Sequence, residues 1–154
     1  MPTHTEKRRM PYSASEMYAL IADVEAYPKF LPWCAGCRVR GQRADGASEI
    51  VDADLIISFK VFRERFGSRV TLMPDENRIN VAYLDGPFKY LKNFWHFKPV
   101  SDTECEVDFF VDFEFRSKTL GALIGVVFNE AMRRIVKAFE NRAAELYGSR
   151  KLSA

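Results

Sequence analysis

The chain has 154 residues, 47% of them hydrophobic, and a net charge of +2, which suits one globular domain and does not by itself indicate a nucleic-acid-binding protein. Basic clusters such as Lys7-Arg8-Arg9 leave that class open, although we expect no binding to DNA. Three cysteines exclude a disulfide framework, and no apolar run approaches the roughly 20 residues that span a bilayer. We therefore expect a cytoplasmic protein whose membrane contact, if any, is peripheral at the inner face.

The N-terminal part predicts a strand, a helix and a short helical loop. Residues 3–10 are expected to form a polar first strand. The segment Ser13-Ala-Ser-Glu16 matches a capping box, and apolar residues at helical spacing then predict a helix over 14–24. Two prolines prevent its continuation, so we expect a short helical turn and a loop through 27–36.

From residue 37 the apolar period changes to two, which predicts antiparallel strands that each bury one face. The clearest alternation runs over 105–115, where apolar side chains alternate with acidic ones. We interpret these acidic residues as a solvated strip on the outside of the strand and not as a catalytic cluster: Glu104, Glu106, Asp108, Asp112 and Glu114. Turns are predicted at Lys60–Arg63, Pro74–Asn77, Asp85–Pro87 and Ser101–Asp102.

The C-terminal part returns to helical period and predicts one long helix over 118–147. Ser117 is a suitable N-cap and Gly148 ends the helix, which would be roughly 45 Å long. The element order predicts an α+β fold in which a curved antiparallel sheet of about seven strands wraps around this helix. We expect one domain over 1–148, a disordered tail over 149–154, and a space between the sheet and the helix.

The segment Trp33-Cys34-Ala-Gly-Cys37 suggests redox chemistry or a metal site. A thioredoxin-like pair, however, opens a helix after a parallel strand, and here an antiparallel strand follows. Zinc needs three or four ligands, and the remaining Cys105, His4 and His96 form no second paired motif. No hydrolase, metalloprotease or phosphate-loop motif occurs either. We therefore expect no metal, no catalytic cofactor and no catalytic residue.

The alternative is a cavity under the long helix, bordered by the proline-bounded segment 27–34 as a gate. Taken singly, each apolar residue concerned is more often plain core than ligand wall. Asn93 differs, because a polar amide on an apolar strand face must either meet a polar head group or satisfy a nearby backbone atom. The predicted wall and gate residues are Tyr27, Phe30, Leu31, Trp33, Leu91, Asn93, Trp95, Phe97, Phe113, Ile124, Val127 and Phe128.

Three segments together resemble the coenzyme Q-binding protein family of START-like domains, in the polyketide cyclase and lipid transport superfamily. The similarity covers nearly the whole chain, and Cys37 is not part of it. The segments are Tyr27-Pro-x-Phe-Leu-Pro-Trp-Cys34, Asp85-Gly-Pro-Phe-Lys-x-Leu-x-Asn-x-Trp-x-Phe-x-Pro99 and Phe128-Asn-Glu-Ala-Met-x-x-x-Val-x-Ala-Phe139.

This resemblance implies the helix-grip fold and a hydrophobic tunnel that binds ubiquinone or a related polyisoprenoid lipid. It also implies support of respiratory electron transport without catalysis, as a quinone chaperone. The bacterial ribosome-association toxins are relatives as well, which implies the alternative of a protein that binds the large ribosomal subunit and blocks subunit joining.

The leading expectation is therefore a non-enzymatic lipid-binding protein, and the toxin is the alternative. A third class, an aromatase- or cyclase-like enzyme, would need acid–base residues that face inward, and strand parity supplies only Asn93 and Ser68. The basic cluster Lys7-Arg8-Arg9 is expected to help docking on an anionic membrane, at about 1 kcal/mol for each cation near the surface.

Overall fold

A seven-stranded antiparallel sheet, in the order β1-β7-β6-β5-β4-β3-β2, dominates the computed structural model, which describes residues 3–59 and 62–152. Strands β2 to β7 follow one another as hairpins, and β1 joins the far edge beside β7. The elements in chain order are β1 Thr3–Met10, α1 Ala14–Ala22, a 3-10 helix Val24–Lys29, β2 Cys34–Asp45, β3 Ser48–Phe59, β4 Phe62–Met73, a 3-10 turn Pro74–Glu76, β5 Arg78–Asp85, β6 Phe88–Pro99, β7 Cys105–Phe115 and α2 Lys118–Tyr147.

Both predicted helices have the side-chain caps that the sequence indicates. Glu16 N donates to Ser13 Oγ at 3.1 Å, and Ser13 N donates to Glu16 Oε1 at 2.9 Å, which completes the capping box of α1. Leu120 N donates to Ser117 Oγ at 3.1 Å at the start of α2. Gly148, with φ of 89°, donates its N–H to Ala144 O and ends α2.

The first difference from prediction is that α1 ends at Ala22 and not at residue 24, and that the 3-10 helix begins at Val24. The second lies after the 3-10 helix. A loop is predicted through residue 36, but β2 already begins at Cys34. Its pairing with β3 is interrupted by two irregularities, between Cys34 and Gly36 and between Val39 and Gly41. Such bulges break the alternation of side chains on an edge strand. The sequence period is therefore lost where β2 starts.

The predicted turn at Lys60–Arg63 can be compared only in part. Its residues 60 and 61 lie outside the described residues, and residues 62 and 63 already belong to β4. Phe59 and Phe62 are the last paired residues of the β3–β4 hairpin.

The long helix α2 covers the concave face of the sheet, as predicted. Its buried residues include Phe128, Met132, Phe139 and Ala143, which pack on the inner side chains of the strands and on α1. One member of the predicted acidic strip is placed wrongly: Glu104 is buried at 4% exposure. It precedes β7 and closes the turn after β6, where Val100 N and Ser101 N donate to Glu104 O, so strand alternation does not apply to it.

Beyond α2, the tail makes defined contacts. Arg150 binds Glu16 at 2.7 Å and lies 5.0 Å from the ring centroid of Tyr12. Residues 153 and 154 lie outside the described residues, and the disordered tail over 149–154 stays a prediction. In the described residues we find no helix whose length and hydropathy would allow it to cross a bilayer.

An apolar cavity beneath the long helix

A cavity of about 270 Å³ lies between the concave face of the sheet, α2 and the segment 24–34. No acidic, basic or histidine side chain is found in its wall among the described residues. The wall consists of Ile21, Val24, Tyr27, Leu31, Pro32, Trp33, Cys34, Ala53, Leu55, Ile57, Phe66, Ser68, Val70, Ile79, Val81, Leu91, Asn93, Trp95, Phe109, Val111, Met132, Ile135 and Phe139.

Small side chains at the centre of the sheet help to create this space. Ala53 of β3 and Ser68 of β4 are directly paired across the two strands, and both are almost fully buried. Strand alternation directs both toward the concave side. Neither side chain is long enough to fill the gap below α2, so the larger residues around them become walls.

Four polar side chains in the wall hydrogen-bond to main-chain carbonyls. The hydroxyl of Tyr27 donates to Ile21 O, and burial raises the pKa of Tyr27. Asn93 Nδ2 donates to Phe110 O at 2.8 Å, so Asn93 satisfies the backbone and lines the cavity at the same time. The other two are Ser68 Oγ, which donates to Ala53 O at 3.4 Å, and Cys34 Sγ, which donates to Gly36 O at 3.7 Å.

The twelve predicted wall and gate residues divide into two equal groups. Six of them line the cavity: Tyr27, Leu31, Trp33, Leu91, Asn93 and Trp95. The other six do not: Phe30, Phe97, Phe113, Ile124, Val127 and Phe128. A role in ligand binding stays a prediction for all twelve.

Packing explains why the second group lies outside the wall. Phe97 is fully buried and its ring packs edge-on against Tyr18 of α1, at 6.0 Å between centroids. Phe113 and Phe128, 5.7 Å apart, belong with Ile124 to an aromatic cluster that fills the space under the first half of α2. The open space therefore lies beside this cluster and does not run the whole length of the helix.

The remaining two residues, Phe30 and Val127, face surface depressions. Phe30 borders a depression beside α2, packs on Phe139 and has the guanidinium of Arg142 at 5.3 Å from its ring centroid. Val127 borders a second depression that it shares with Trp33 and Phe59.

Trp33 lines two spaces at once, the cavity and the outer depression that Val127 borders. Its φ of 64° lies in the left-handed region, which is rare for a bulky side chain and costs on the order of 1–3 kcal/mol. Two contacts hold it there. Ser58 N donates to Trp33 O at 2.8 Å, and the indole lies 5.6 Å from the ring of Phe59 in an edge-on arrangement.

A polar cluster on β1 is absent from the predicted site. The cluster consists of His4, Glu6 and Arg8, which lie on the same face of β1 as the buried Met10. This shared face is the sequence signal that could have predicted their inward position. His4 Nε2 lies 3.1 Å from Glu6 Oε1, and Arg8 binds Glu6 at 2.8 Å and Glu140 of α2 at 2.9 Å.

This cluster joins the edge strand to the long helix. Burial raises the pKa of Glu6, but hydrogen bonds from Arg8 and His4 outweigh it, and the pKa is lowered overall. The guanidinium of Arg8 is bound to two carboxylates, so Arg8 is less available for membrane docking than Lys7, and a docking role of the basic cluster stays a prediction.

The cysteines do not have the properties of a redox pair. Cys34, Cys37 and Cys105 are all free thiols. Burial, and then the neighbouring Cys34, raise the pKa of Cys37 to about 11, and burial raises the pKa of Cys105 to about 11. A redox or metal-binding thiol needs a lowered pKa. No group of three or more potential metal ligands occurs in the described part of the chain.

We predict that iodoacetamide alkylates Cys37 at pH 8 at least about tenfold more slowly than a free cysteine peptide. With a pKa of about 11, only about 0.1% of this thiol is ionised at that pH, and the rate should rise with pH until about 11. Mass spectrometry of a time course measures the rate, with urea-unfolded protein as the control. A peptide-like rate in the folded protein would contradict the raised pKa.

The curved sheet, the long helix held against it and the enclosed apolar space define a START-like domain with the helix-grip fold. The chain belongs to the family described as polyketide cyclase / dehydrase and lipid transport, whose model matches residues 10–140.

Individual relatives support this assignment. The chain is 36% identical over 150 residues to the ribosome association toxin RatA of Escherichia coli (strain K12), covering 97% of this chain and 92% of that protein. It is 31% identical over 154 residues to the coenzyme Q-binding protein COQ10 homolog B, mitochondrial, of Xenopus laevis, covering 97% and 61%. The solution structure of the 18 kDa protein CC1736 from Caulobacter crescentus is 38% identical, with a TM-score of 0.79 and coverage of 97% and 100%.

Proposed function

We propose that this protein binds a hydrophobic ligand in the cavity under α2 and carries it without chemical change. The ligand we infer is ubiquinone or a related polyisoprenoid lipid, and the role is that of a quinone chaperone in respiratory electron transport. The observation that carries the proposal is the apolar wall, in which no charged side chain occurs among the described residues. The similarity to a coenzyme Q-binding protein over 97% of the chain supports the quinone as ligand.

The cavity volume limits how such a ligand is held. About 270 Å³ lies just below the range of about 300–1,000 Å³ that is typical of small-ligand sites. It suits a substituted ring and the first part of a chain. A long polyisoprenoid tail must therefore leave through the mouth and lie along the outside of the protein.

We propose that the mouth is at Trp33, because this residue lines both the cavity and the outer depression. Replacing Trp33 with alanine is expected to raise both the association and the dissociation rate of a short-chain ubiquinone analogue, by about tenfold, because the indole no longer blocks the opening. That factor corresponds to about 1.4 kcal/mol in the barrier. Stopped-flow mixing measures both rates, and Val126→Ala on the exposed side of α2 is the control. Unchanged rates in the Trp33 variant would place the opening elsewhere.

The ligand itself is tested by extraction. Purified protein is extracted with organic solvent and the extract is analysed by mass spectrometry for quinones and other prenyl lipids. Isothermal titration with a short-chain ubiquinone analogue then measures saturable binding. If no prenyl lipid is extracted and no saturable binding is measured, the proposal is wrong.

Location and membrane contact are part of the same proposal. We infer a cytoplasmic protein that exchanges its ligand at the inner membrane face. Lys7 is exposed on the outer side of β1 and is the first candidate for contact with anionic lipid, whereas Arg9, also exposed there, is paired with Glu104 at 3.4 Å. Co-sedimentation with vesicles of phosphatidylcholine, with and without phosphatidylglycerol, tests this. Equal binding to both vesicles would exclude an electrostatic contribution.

A second candidate function is binding to the large ribosomal subunit, because a relative that matches 97% of the chain is named a ribosome association toxin. The surface offers less support. On the outer face of β2 to β4, several arginines are bound to aspartates, with Arg40 and Arg65 on Asp54 and Arg69 on Asp52. Charges that are paired in this way contribute less to phosphate binding than a continuous basic face would.

A polysome profile after overexpression tests the second function. A toxin of this kind would increase the free subunits at the expense of joined ribosomes, and its sedimentation with large subunits would weaken as salt is raised. An unchanged profile would leave ligand binding as the function.

A further inference from the structure

Four polar side chains of the cavity wall have one property in common: each donates a hydrogen bond to the main chain. Tyr27, Ser68, Asn93 and Cys34 each donate to a backbone carbonyl oxygen. A carbonyl oxygen can only accept a hydrogen bond. The donor in each pair is therefore fixed by chemistry, and for Asn93 the atom that faces Phe110 O must be the amide nitrogen.

What these four side chains still offer a ligand is mainly acceptor capacity. Asn93 Oδ1 has no hydrogen-bond partner among the described residues, although Asn93 is partly buried and its strand neighbours in the wall, Leu91 and Trp95, are large and mainly apolar. An amide oxygen with apolar neighbours favours a ligand that donates a hydrogen bond to it. The charge-free wall, for its part, disfavours phosphate and carboxylate head groups, because no cation offsets their desolvation.

Three donors in the wall are still uncommitted. The indole N–H groups of Trp33 and Trp95 have no partner in the described part of the chain, and the amide nitrogen of Asn93 carries a second hydrogen. Each of them can serve a hydroxyl, a carbonyl or an ether oxygen of a ligand. They contribute to binding in all these cases, so discrimination between the cases depends on Asn93 Oδ1.

We propose that the cavity selects an uncharged ligand whose ring carries a hydroxyl group, which donates a hydrogen bond to Asn93 Oδ1. The same ring with a carbonyl or an ether in that place leaves Asn93 Oδ1 unpaired and binds more weakly. For a quinone carrier this means that the reduced, hydroquinone form is bound more tightly than the oxidised form. The inference rests on the proposed function, because it presumes that the cavity holds a hydrophobic ligand.

Two tail-matched probes test the inference without redox chemistry: para-nonylphenol and para-nonylanisole, which differ in one hydroxyl against one methyl ether. Isothermal titration is expected to show that the phenol binds about three- to tenfold more tightly. In Asn93→Leu the preference disappears while the anisole still binds. That retained binding also shows that the variant is folded. Asn80→Leu, on the outer face of β5, is the matched control and keeps the preference.

The outcomes distinguish a failure of the hydroxyl preference from a failure of the proposed ligand-binding function. If both probes bind with equal affinity, or if the preference persists in Asn93→Leu, the inference is wrong and the proposed function stands. If neither probe binds, the proposed function fails and the inference fails with it.

Ser68→Ala removes the hydroxyl whose internal hydrogen bond is long, at 3.4 Å, and should leave the preference intact. Loss of the preference there would assign selectivity to Ser68 and overturn the role of Asn93.

Discussion

Replacing Phe139 with alanine is expected to lower the free energy of unfolding by about 3–5 kcal/mol. The side chain is 7% exposed, and its ring contacts Tyr27 at 5.7 Å, Phe30 at 5.4 Å and Trp95 at 5.5 Å between centroids. These three rings belong to the 3-10 helix, to the residue that follows it and to β6, so one side chain of α2 ties the cavity-forming elements together. Chemical denaturation monitored by circular dichroism measures the loss.

A matched substitution on the outer face separates this effect from the general cost of losing a phenylalanine. Phe94 is half-buried on the outside of β6, stacked on Phe110 at 5.4 Å. Phe94→Ala should cost no more than about 1.5 kcal/mol, because a stacked pair contributes about 0.5–1.5 kcal/mol and truncation at a solvent-facing position leaves no enclosed cavity. Equal losses for the two variants would contradict the central position of Phe139.

The second large effect concerns ligand binding. Replacing Ala53 with phenylalanine should weaken the binding of a short-chain ubiquinone analogue more than tenfold, because the added ring occupies space in a cavity of about 270 Å³. The same substitution should change the free energy of unfolding by less than about 1 kcal/mol. In a filled core an insertion of this kind costs about 1–3 kcal/mol. Titration calorimetry and chemical denaturation measure the two quantities on one protein sample.

The control for this pair of measurements is Ala82→Phe, since Ala82 is exposed on β5 and outside the wall. Neither binding nor stability should change there. If Ala53→Phe destabilises the fold by several kcal/mol and the ligand still binds, then the space next to Ala53 is not the binding site.

Much of the fold could be predicted because it depends on local patterns. The capping box at Ser13, the cap at Ser117 and the alternation in β3 to β7 are each specified by residues close together in the sequence. The start of β2 could not be predicted, since two bulges on an edge strand erase the period there. The burial of Glu104 depends on the turn between β6 and β7, which strand alternation does not describe.

The cavity was harder to predict than the fold, and β6 shows why. Trp95 and Phe97 lie on the same strand face, two residues apart, and the sequence gives no reason to separate them. In the structure Trp95 borders the cavity, while Phe97 lies under Tyr18 and is fully buried. The difference arises from which helix covers each residue, and that is a tertiary property. The same holds for Arg8, whose partner Glu140 is 132 positions away.

The positions of Trp33 and Trp95 also have a spectroscopic consequence. The chain has two tryptophans, and both lie in the cavity wall, Trp33 at the proposed mouth and Trp95 on β6. Nearly all of the protein's intrinsic fluorescence therefore originates next to the space where a ligand would sit. A bound ring would change this emission directly, and Trp33→Phe would leave the indole of Trp95 as an unlabelled reporter within the cavity.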